Sequence, residues 1–311
     1  MSLSPRLSLR SFVAAAPIIG VLLAVLALGG CSAVRLGYNN SPTLVYWWLD
    51  SYFDFDDAQS LRVRNDLQAL QDWHRTTEVP QLARKLKELQ ALAPKQVSSE
   101  QVCALVNDLQ TRVQVTLERA TPTISALAPG LQDAQLEHMS KEFERRNRKW
   151  QDDWIAGTPA ERSERRVKQL VERAESFYGT LEDAQMAVVR AHIANSSFDG
   201  LRQFQEMQRR QKDALQVLRK IRAGEIPPNQ TNAQVRGLLE RTFKAPAPAY
   251  RRYMEQLTNE GCATMAALHN ASTPDQRTRL ARALQGYEGD ARALAAQRTE
   301  EPPINQPPSA M

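Results

Sequence analysis

Residues 181–194 read Leu-Glu-Asp-Ala-Gln-Met-Ala-Val-Val-Arg-Ala-His-Ile-Ala, and this stretch contains the two signals that decide the fold. Its start has the form of a capping box, in which the residue before a helix and the third helical residue bond each other's backbone N–H groups. Its apolar residues then recur every three or four positions, as they do along one face of an α-helix. The stretch therefore predicts a helix that begins near Asp183.

Starts of this kind recur along the chain. The tripeptide Asp-Ala-Gln also occurs at 57–59 and 133–135, and further capped starts follow Ser98, Thr158 and Thr273. After Thr158 and Thr273 comes a proline, which favours the first position of a helix. An ancient duplication would explain the repetition, but the same start chemistry at each helix explains it more simply.

Apolar stripes at helical spacing fill the chain between these starts, and no run of period-two alternation suggests a strand. The sequence therefore predicts an all-α fold, a multi-helix bundle of about eight or more amphipathic helices with no significant sheet. The clearest stripes are Val102, Leu105, Leu109, Val113 and Leu117; Met139, Phe143, Trp150 and Trp154, with polar Asn147 among them; and Phe204, Met207, Gln211, Ala214, Leu218 and Ile221.

The breaks between the stripes are short. They include 122–130, where two prolines and a glycine occur, and none is long enough for an interdomain linker. We therefore expect a single helical domain over 57–298, preceded by an N-terminal segment over 31–56. The proline-rich tail, 299–311, is predicted to be disordered.

The N-terminal 30 residues have the pattern of a secretory signal. Arg6 and Arg10 precede a run, 11–30, that contains no charged residue, and small residues follow its apolar core. The alternative is an uncleaved transmembrane helix, since the run is long enough to span a bilayer. The glycines at 29 and 30 favour cleavage, so we predict a signal peptide over 1–30.

Leu28-Gly29-Gly30-Cys31 resembles a bacterial lipobox, in which the chain is cut before the cysteine and the cysteine is acylated. The resemblance implies that Cys31 carries lipid and anchors the mature protein to a membrane. Ser32 follows where an aspartate would direct retention at the inner membrane. We therefore expect the outer membrane, at its periplasmic face, and regard the inner membrane as the alternative.

The charge balance excludes little on its own. The chain has 40 basic and 35 acidic residues and a net charge of +5, and removal of the signal lowers this by two charges. An exported protein with so small an excess is not expected to bind nucleic acid. Two interpretations remain open, both for the whole surface and for the basic segment 201–222. The basic residues either face anionic envelope components or belong to ordinary solvated helix faces.

Two cysteines remain after Cys31 is assigned to lipid. In an oxidising compartment Cys103 and Cys262 are expected to form a disulfide, and the alternative is two separate buried thiols. Gly261 would let a neighbouring helix approach closely, as the short Cα separation of a disulfide requires.

Aromatic and acidic residues are concentrated in residues 38–57, where no Lys or Arg occurs. Trp47, Trp48, Asp50 and Asp54 form a candidate ligand surface for a cationic or carbohydrate group. The alternative is that the aromatics dock the chain onto the body and the acids cap the next helix. If the segment is one helix, Asp50, Asp54 and Asp57 share a face.

Motifs for catalysis or cofactor binding were not found. The four histidines form no HxxxH or HExxH pattern, and the chain has no Walker loop, G-x-S-x-G or G-x-G-x-x-G. We therefore predict no catalytic residues, no metal ligands and no cofactor.

Six pieces of the chain together resemble an uncharacterised family of proteobacterial lipoproteins, known only as a domain of unknown function. They are residues 31–40, 46–50 and 54–59, and later 261–262, 268–270 and the capped helix from Thr273. The resemblance implies an exported, lipid-anchored and mostly helical protein, and it implies no activity.

These observations support three hypotheses. The first is a non-enzymatic, lipid-anchored scaffold or binding protein whose partner is an envelope protein or cell-wall component. The second is a periplasmic chaperone or envelope-stress protein, because the Asp-Ala-Gln and Thr-Pro-Asp-Gln starts look like the L-T-x-x-Q repeats of small helical periplasmic chaperones. The third is a cell-wall glycan enzyme that uses the acids near Trp47.

Overall fold

The computed structural model describes residues 30–297. Within that range the chain forms twelve α-helices and one short 3₁₀-helix, with no strand, so the predicted all-α bundle is confirmed. The helices are α1 (Gly30–Asn39), α2 (Ser41–Phe53), α3 (Asp57–Thr77), α4 (Val79–Leu92), α5 (Ser99–Leu127), α6 (Asp133–Trp154), α7 (Pro159–Tyr178), α8 (Asp183–Asn195), α9 (Gly200–Arg222), α10 (Pro228–Phe243), α11 (Pro248–Asn270) and α12 (Pro274–Ala296), and the 3₁₀-helix is Ala128–Gly130.

The signal peptide and the tail 299–311 lie outside the described residues, as does residue 298. Helix α1 packs on α12, and α2 packs on α3 and α6, so the segment 31–56 lies directly against the helices that follow it.

The six predicted helix starts are confirmed in detail. In each, the third helical side chain accepts a hydrogen bond from the backbone N–H of the residue before the helix. This bond satisfies one of the backbone donors that a helix start leaves without a partner. The acceptors are Gln59, Gln101, Gln135, Glu161, Gln185 and Gln276.

Four of these glutamines also join helix starts to each other, and we call each pair a glutamine clasp. In the first clasp Gln59 and Gln135 exchange amide hydrogen bonds of 3.3 and 2.7 Å between α3 and α6. In the second, Gln276 Nε2 donates to Gln185 Oε1 at 2.8 Å between α12 and α8. Each side chain in a clasp is almost fully buried, so its amide is used both to cap one helix and to position another.

The apolar stripes pack into two main cores. One lies between α6, α9 and α10 and includes Leu136, Leu218 and Val235. The other lies between α7, α8 and α11 and includes Val189 and Leu268, both fully buried. Burial of such side chains is worth about 1.5–3 kcal/mol each and is the main force that holds the helices together.

The polar residues of two stripes meet across a helix interface. Asn147 of α6 and Gln211 of α9 exchange two amide hydrogen bonds of 2.9 Å each. A reciprocal amide pair satisfies both side chains in one register of the two helices only, so it aligns α6 with α9.

The predicted break at 122–130 is wrong in its first half. Helix α5 continues through Pro122 to Leu127, and the chain turns only at the 3₁₀-helix. A proline in a helix loses one backbone bond and costs about 3 kcal/mol. Buried neighbours offset that loss, because Thr121 and Ala128 are each only 1% exposed.

Candidate functional site

Helix α2 presents an apolar face to solvent. Leu44, Trp47, Trp48 and Ser51 are all exposed, and their spacing places them on one side of the helix. The exposed fractions are 51% for Leu44, 59% for Trp47 and 53% for Trp48. Exposure of two neighbouring tryptophans is unusual, because aromatic side chains gain most from burial. This face therefore contains half of the residues predicted as a ligand surface.

The other aromatics of the segment face inward. Tyr46 is 6% exposed, its hydroxyl lies 2.9 Å from Ser60 Oγ, and the Arg64 guanidinium carbon lies 3.5 Å from its ring centroid. Tyr52 packs on Phe143 of α6 at 5.6 Å between centroids, and partial burial raises the pKa of its hydroxyl. The segment is thus divided: these rings dock α2 onto the body, whereas Trp47 and Trp48 do not.

The acidic residues around the end of α2 have structural positions in the backbone. Asp50 Oδ1 accepts a hydrogen bond from the Phe55 amide at 3.0 Å, and Asp56 caps α3. Asp54 ends α2 in the left-handed conformation, with a φ of 48°. The condition for Asp50, Asp54 and Asp57 to share a helix face is therefore not met, since α2 ends at Phe53, before Asp54.

An apolar groove of about 470 Å³ lies behind Trp48, between α2, α3 and the second half of α5. Two charged residues, Asp66 and Arg119, border it within the described chain. No local pattern in the sequence indicates this groove, because its walls come from three separate stripes. Its apolar lining includes Val45, Trp48, Leu67, Leu70, Leu117 and Ile124.

Most basic residues of the segment 201–222 are engaged within the protein. Arg209 and Arg210 both bond Glu206, which is 6% exposed, and Arg222 pairs with Asp133. Lys212, Arg219 and Lys220 line a groove of about 860 Å³ between α6 and α9, but Glu144 and Glu225 line it too. The mixture of positively and negatively charged side chains along this groove is typical of a solvated surface.

Cys103 and Cys262 are joined in a disulfide with a Cα separation of 5.4 Å, within the usual range. The close helix approach predicted at Gly261 is wrong, since a Cβ at that position would meet nothing within 4 Å. Instead, Asn270 aligns α11 with α5. Its side chain bonds both the N–H and the C=O of Val97 at 2.9 Å, just before α5 begins.

Three of the four histidines lie inside the helix packing. His269 Nε2 lies 2.9 Å from the Lys95 carbonyl, to which it must donate, so Nδ1 accepts from the Tyr178 hydroxyl at 2.9 Å. Burial lowers the pKa of His269 and raises the pKa of Tyr178 to about 12. Burial also lowers the pKa values of His74 and His192. All three therefore favour the neutral form.

Nowhere in residues 30–297 do three or more His, Cys, Asp or Glu side chains form a group that could hold a metal ion. None of the helices in the same range is both long and apolar enough to cross a membrane.

A model of a protein family of unknown function, DUF6279, matches residues 51–251. The chain belongs to this family. Among curated proteins and among solved structures, nothing matches the chain. The family assignment therefore identifies the helical body without giving it an activity.

The range matched by the family covers only part of the candidate site. It begins at Ser51, within α2, so Trp47, Trp48 and Asp50 precede it, and Cys262 follows it. The Gln59–Gln135 clasp and the α3 and α5 walls of the groove lie within the matched range. Of the six pieces on which the lipoprotein resemblance rests, only 54–59 falls inside it.

Proposed function

We propose that this member of the DUF6279 family is a lipid-anchored envelope protein whose helical body has a non-enzymatic binding role. Cys31 would carry the lipid and hold the protein at the periplasmic face of the outer membrane. The proposal rests on the lipobox, on the uncharged run before it and on the apolar face that follows ten to twenty residues later in the sequence.

The observation that carries the binding role is the exposed face of α2 with the apolar groove behind it. Contiguous exposed apolar surface on a folded protein usually marks a site of interaction. The groove volume of about 470 Å³ is within the range of ligand sites, about 300–1,000 Å³. A partner that covers Trp47 and Trp48 would bury large side chains, which are the ones that dominate binding energy.

Catalysis by the nearby acids is less well supported. Asp50 and Asp56 are each bonded to a backbone amide that ends or begins a helix, which gives them a structural role. The chaperone hypothesis rested on the glutamine-containing helix starts. Four of those glutamines are buried in the clasps, so helix packing accounts for the likeness.

Two experiments test the proposal. In cells, Cys31→Ser should leave an unlipidated precursor that no longer incorporates labelled fatty acid, whereas Cys103→Ser should be labelled normally. Continued labelling of Cys31→Ser would exclude the lipid anchor.

The binding role is tested by photo-crosslinking. A photoreactive amino acid at Trp48 should give a discrete crosslinked product, and the same group at Tyr287 of α12, which is 40% exposed, serves as the matched control. Equal crosslinking from both positions, or none from Trp48, would contradict a binding site at this face.

A further inference from the structure

We propose that the groove behind Trp48 binds one acyl chain of a membrane phospholipid, with the lipid phosphate near Arg119. This inference rests on the proposed function, because it takes the face of α2 to lie against the membrane that holds Cys31.

The lining of the groove fits an acyl chain. Its walls are mainly Leu, Val, Phe, Ile and Trp side chains from α2, α3 and α5. A hydrocarbon chain offers no hydrogen bonds and is stabilised by apolar contact alone. A polar ligand would lose its hydrogen bonds to water in such a groove with little in return.

The groove is continuous with the part of the surface that is nearest in sequence to the proposed anchor. Val45 and Trp48 are both exposed and both line the groove. The exposed apolar residues Val34, Leu36, Leu44 and Trp47 precede or adjoin them on α1 and α2.

The charges of these two helices suit a bilayer surface. Residues 41–49 of α2 contain no charged side chain, and the charge of α1, Arg35, pairs with the buried Asp290 of α12 at 3.1 Å. Tryptophan concentrates at the boundary between lipid and water, where its ring is apolar and its N–H is wet. In the sequence, this face (Leu44 to Ser51) follows the proposed anchor Cys31 by 13 to 20 residues.

Arg119 supplies the group that would recognise the headgroup. Its side chain is exposed and borders the groove, on the same helix as Leu117 and Ile124. A guanidinium binds phosphate through paired N–H donors, which fixes the headgroup while the chain lies in the groove. Asp66 on the opposite wall suits the amine of a zwitterionic headgroup.

Mass spectrometry of the full-length protein, extracted from membranes of the producing cells in polymer-bounded bilayer discs, tests the proposal. Under native conditions the wild type should retain one phospholipid per chain, identified by its mass. Ala120→Trp places an indole in the groove and should abolish this adduct. Ala104→Trp, at an exposed position of the same helix outside the groove, should retain it.

Two further variants guard against misfolding and test the headgroup. Leu67→Gln makes the wall of the groove polar at nearly constant size and should also reduce the adduct. It serves as the test of the groove if Ala120→Trp fails to fold. Arg119→Gln should lower the occupancy of the phospholipid adduct several-fold relative to both the wild type and the Ala104→Trp control. Helical content measured by circular dichroism should match the wild type in every variant that is scored.

The result also separates this inference from the proposed function. Denaturing mass spectrometry of the same samples reports the covalent lipid on Cys31, and only the native spectrum reports the groove. Covalent lipid without a phospholipid adduct would overturn the groove proposal and leave the anchor intact. A bound peptide, a dimer that shields Trp48, or full adduct occupancy in Leu67→Gln and Ala120→Trp would overturn it as well.

Discussion

Replacement of Gln185 by Glu should destabilise the protein strongly, and more at pH 7 than at pH 5. Gln185 is 0% exposed and belongs to the clasp between α8 and α12. Its Oε1 accepts from the Glu182 amide and from Gln276 Nε2, and its Nε2 donates to the Leu268 carbonyl at 3.4 Å. A carboxylate would keep both acceptor contacts but would place its second oxygen against a carbonyl. Only a protonated Glu could donate there.

The magnitude follows from the pKa of glutamate. An unfolded Glu has a pKa of about 4.3, so holding it protonated at pH 7 costs about 3.7 kcal/mol, since each pKa unit is worth about 1.4 kcal/mol. At pH 5 the same cost is about 1 kcal/mol. Burial raises the pKa of the folded carboxyl above its unfolded value, so the folded state binds the proton more tightly. The free energy of unfolding of the variant should therefore fall, relative to wild type, as pH rises from 5 to 7.

The matched control is Gln101→Glu. Gln101 accepts the same capping bond, from the Ser98 amide at 2.9 Å, but it is exposed and has no clasp partner. A glutamate at this position of a helix is favourable, so the free energy of unfolding should change by no more than about 0.5 kcal/mol. Urea unfolding at pH 5 and pH 7, followed by circular dichroism, measures both variants. Equal effects of the two substitutions, or a loss at Gln185 that does not depend on pH, would refute the role assigned to the clasp.

Three further predictions concern the body of the protein. The denatured chain without reductant should show no free thiol from Cys103 or Cys262, and two titratable thiols would exclude the bond. Reduction should lower the free energy of unfolding by at most about 5 kcal/mol, because the bond joins residues 159 positions apart. As pH falls from 7 to 5 the wild type should lose stability, because burial lowers the pKa of His269 and the unfolded histidine takes up a proton near pH 6.5. In the same unfolding assay the stability of His269→Asn should depend less steeply on pH, and an unchanged pH dependence would contradict this assignment. Gly200→Ala should destabilise the protein by about 1–3 kcal/mol, because a Cβ would lie 2.8 Å from the Trp154 carbonyl oxygen. Gly261→Ala, whose Cβ would have nothing within 4 Å, should stabilise it by about 0.5–1 kcal/mol, and thermal melts that rank the two variants in the opposite order would contradict this prediction.

The helix starts could be predicted from the sequence because they are local. A cap and its third residue lie within one turn, so the signal at Ser98 or Thr273 needs no knowledge of the rest of the chain. The pairing of Gln59 with Gln135 joins residues 76 positions apart, and nothing in either start indicates its partner. The break at Pro122 failed for a related reason, since the packing that holds α5 together there comes from distant helices.

The candidate site shows the same limit. The sequence indicated that residues 38–57 were unusual, but it could not separate Tyr46 and Tyr52, which are docked, from Trp47 and Trp48, which are exposed. That division depends on which side of α2 meets α3 and α6. The groove could not be predicted from the sequence for the same reason, because its walls come together only when α2, α3 and α5 pack.

The packing of α12 affects when the native contacts of α4 can form during synthesis. Helix α12, the last in the described range, lies along α4 and also contacts α1, α3 and α7, so its apolar stripe covers a helix that was made much earlier. A ribosome releases Leu92 long before Pro274, and during that interval the apolar face of α4 has no native cover. Contacts so distant along the chain slow folding. A chain that stops before α12 should therefore be a substrate for proteases rather than a smaller folded protein, and holding factors should bind the nascent α4 face.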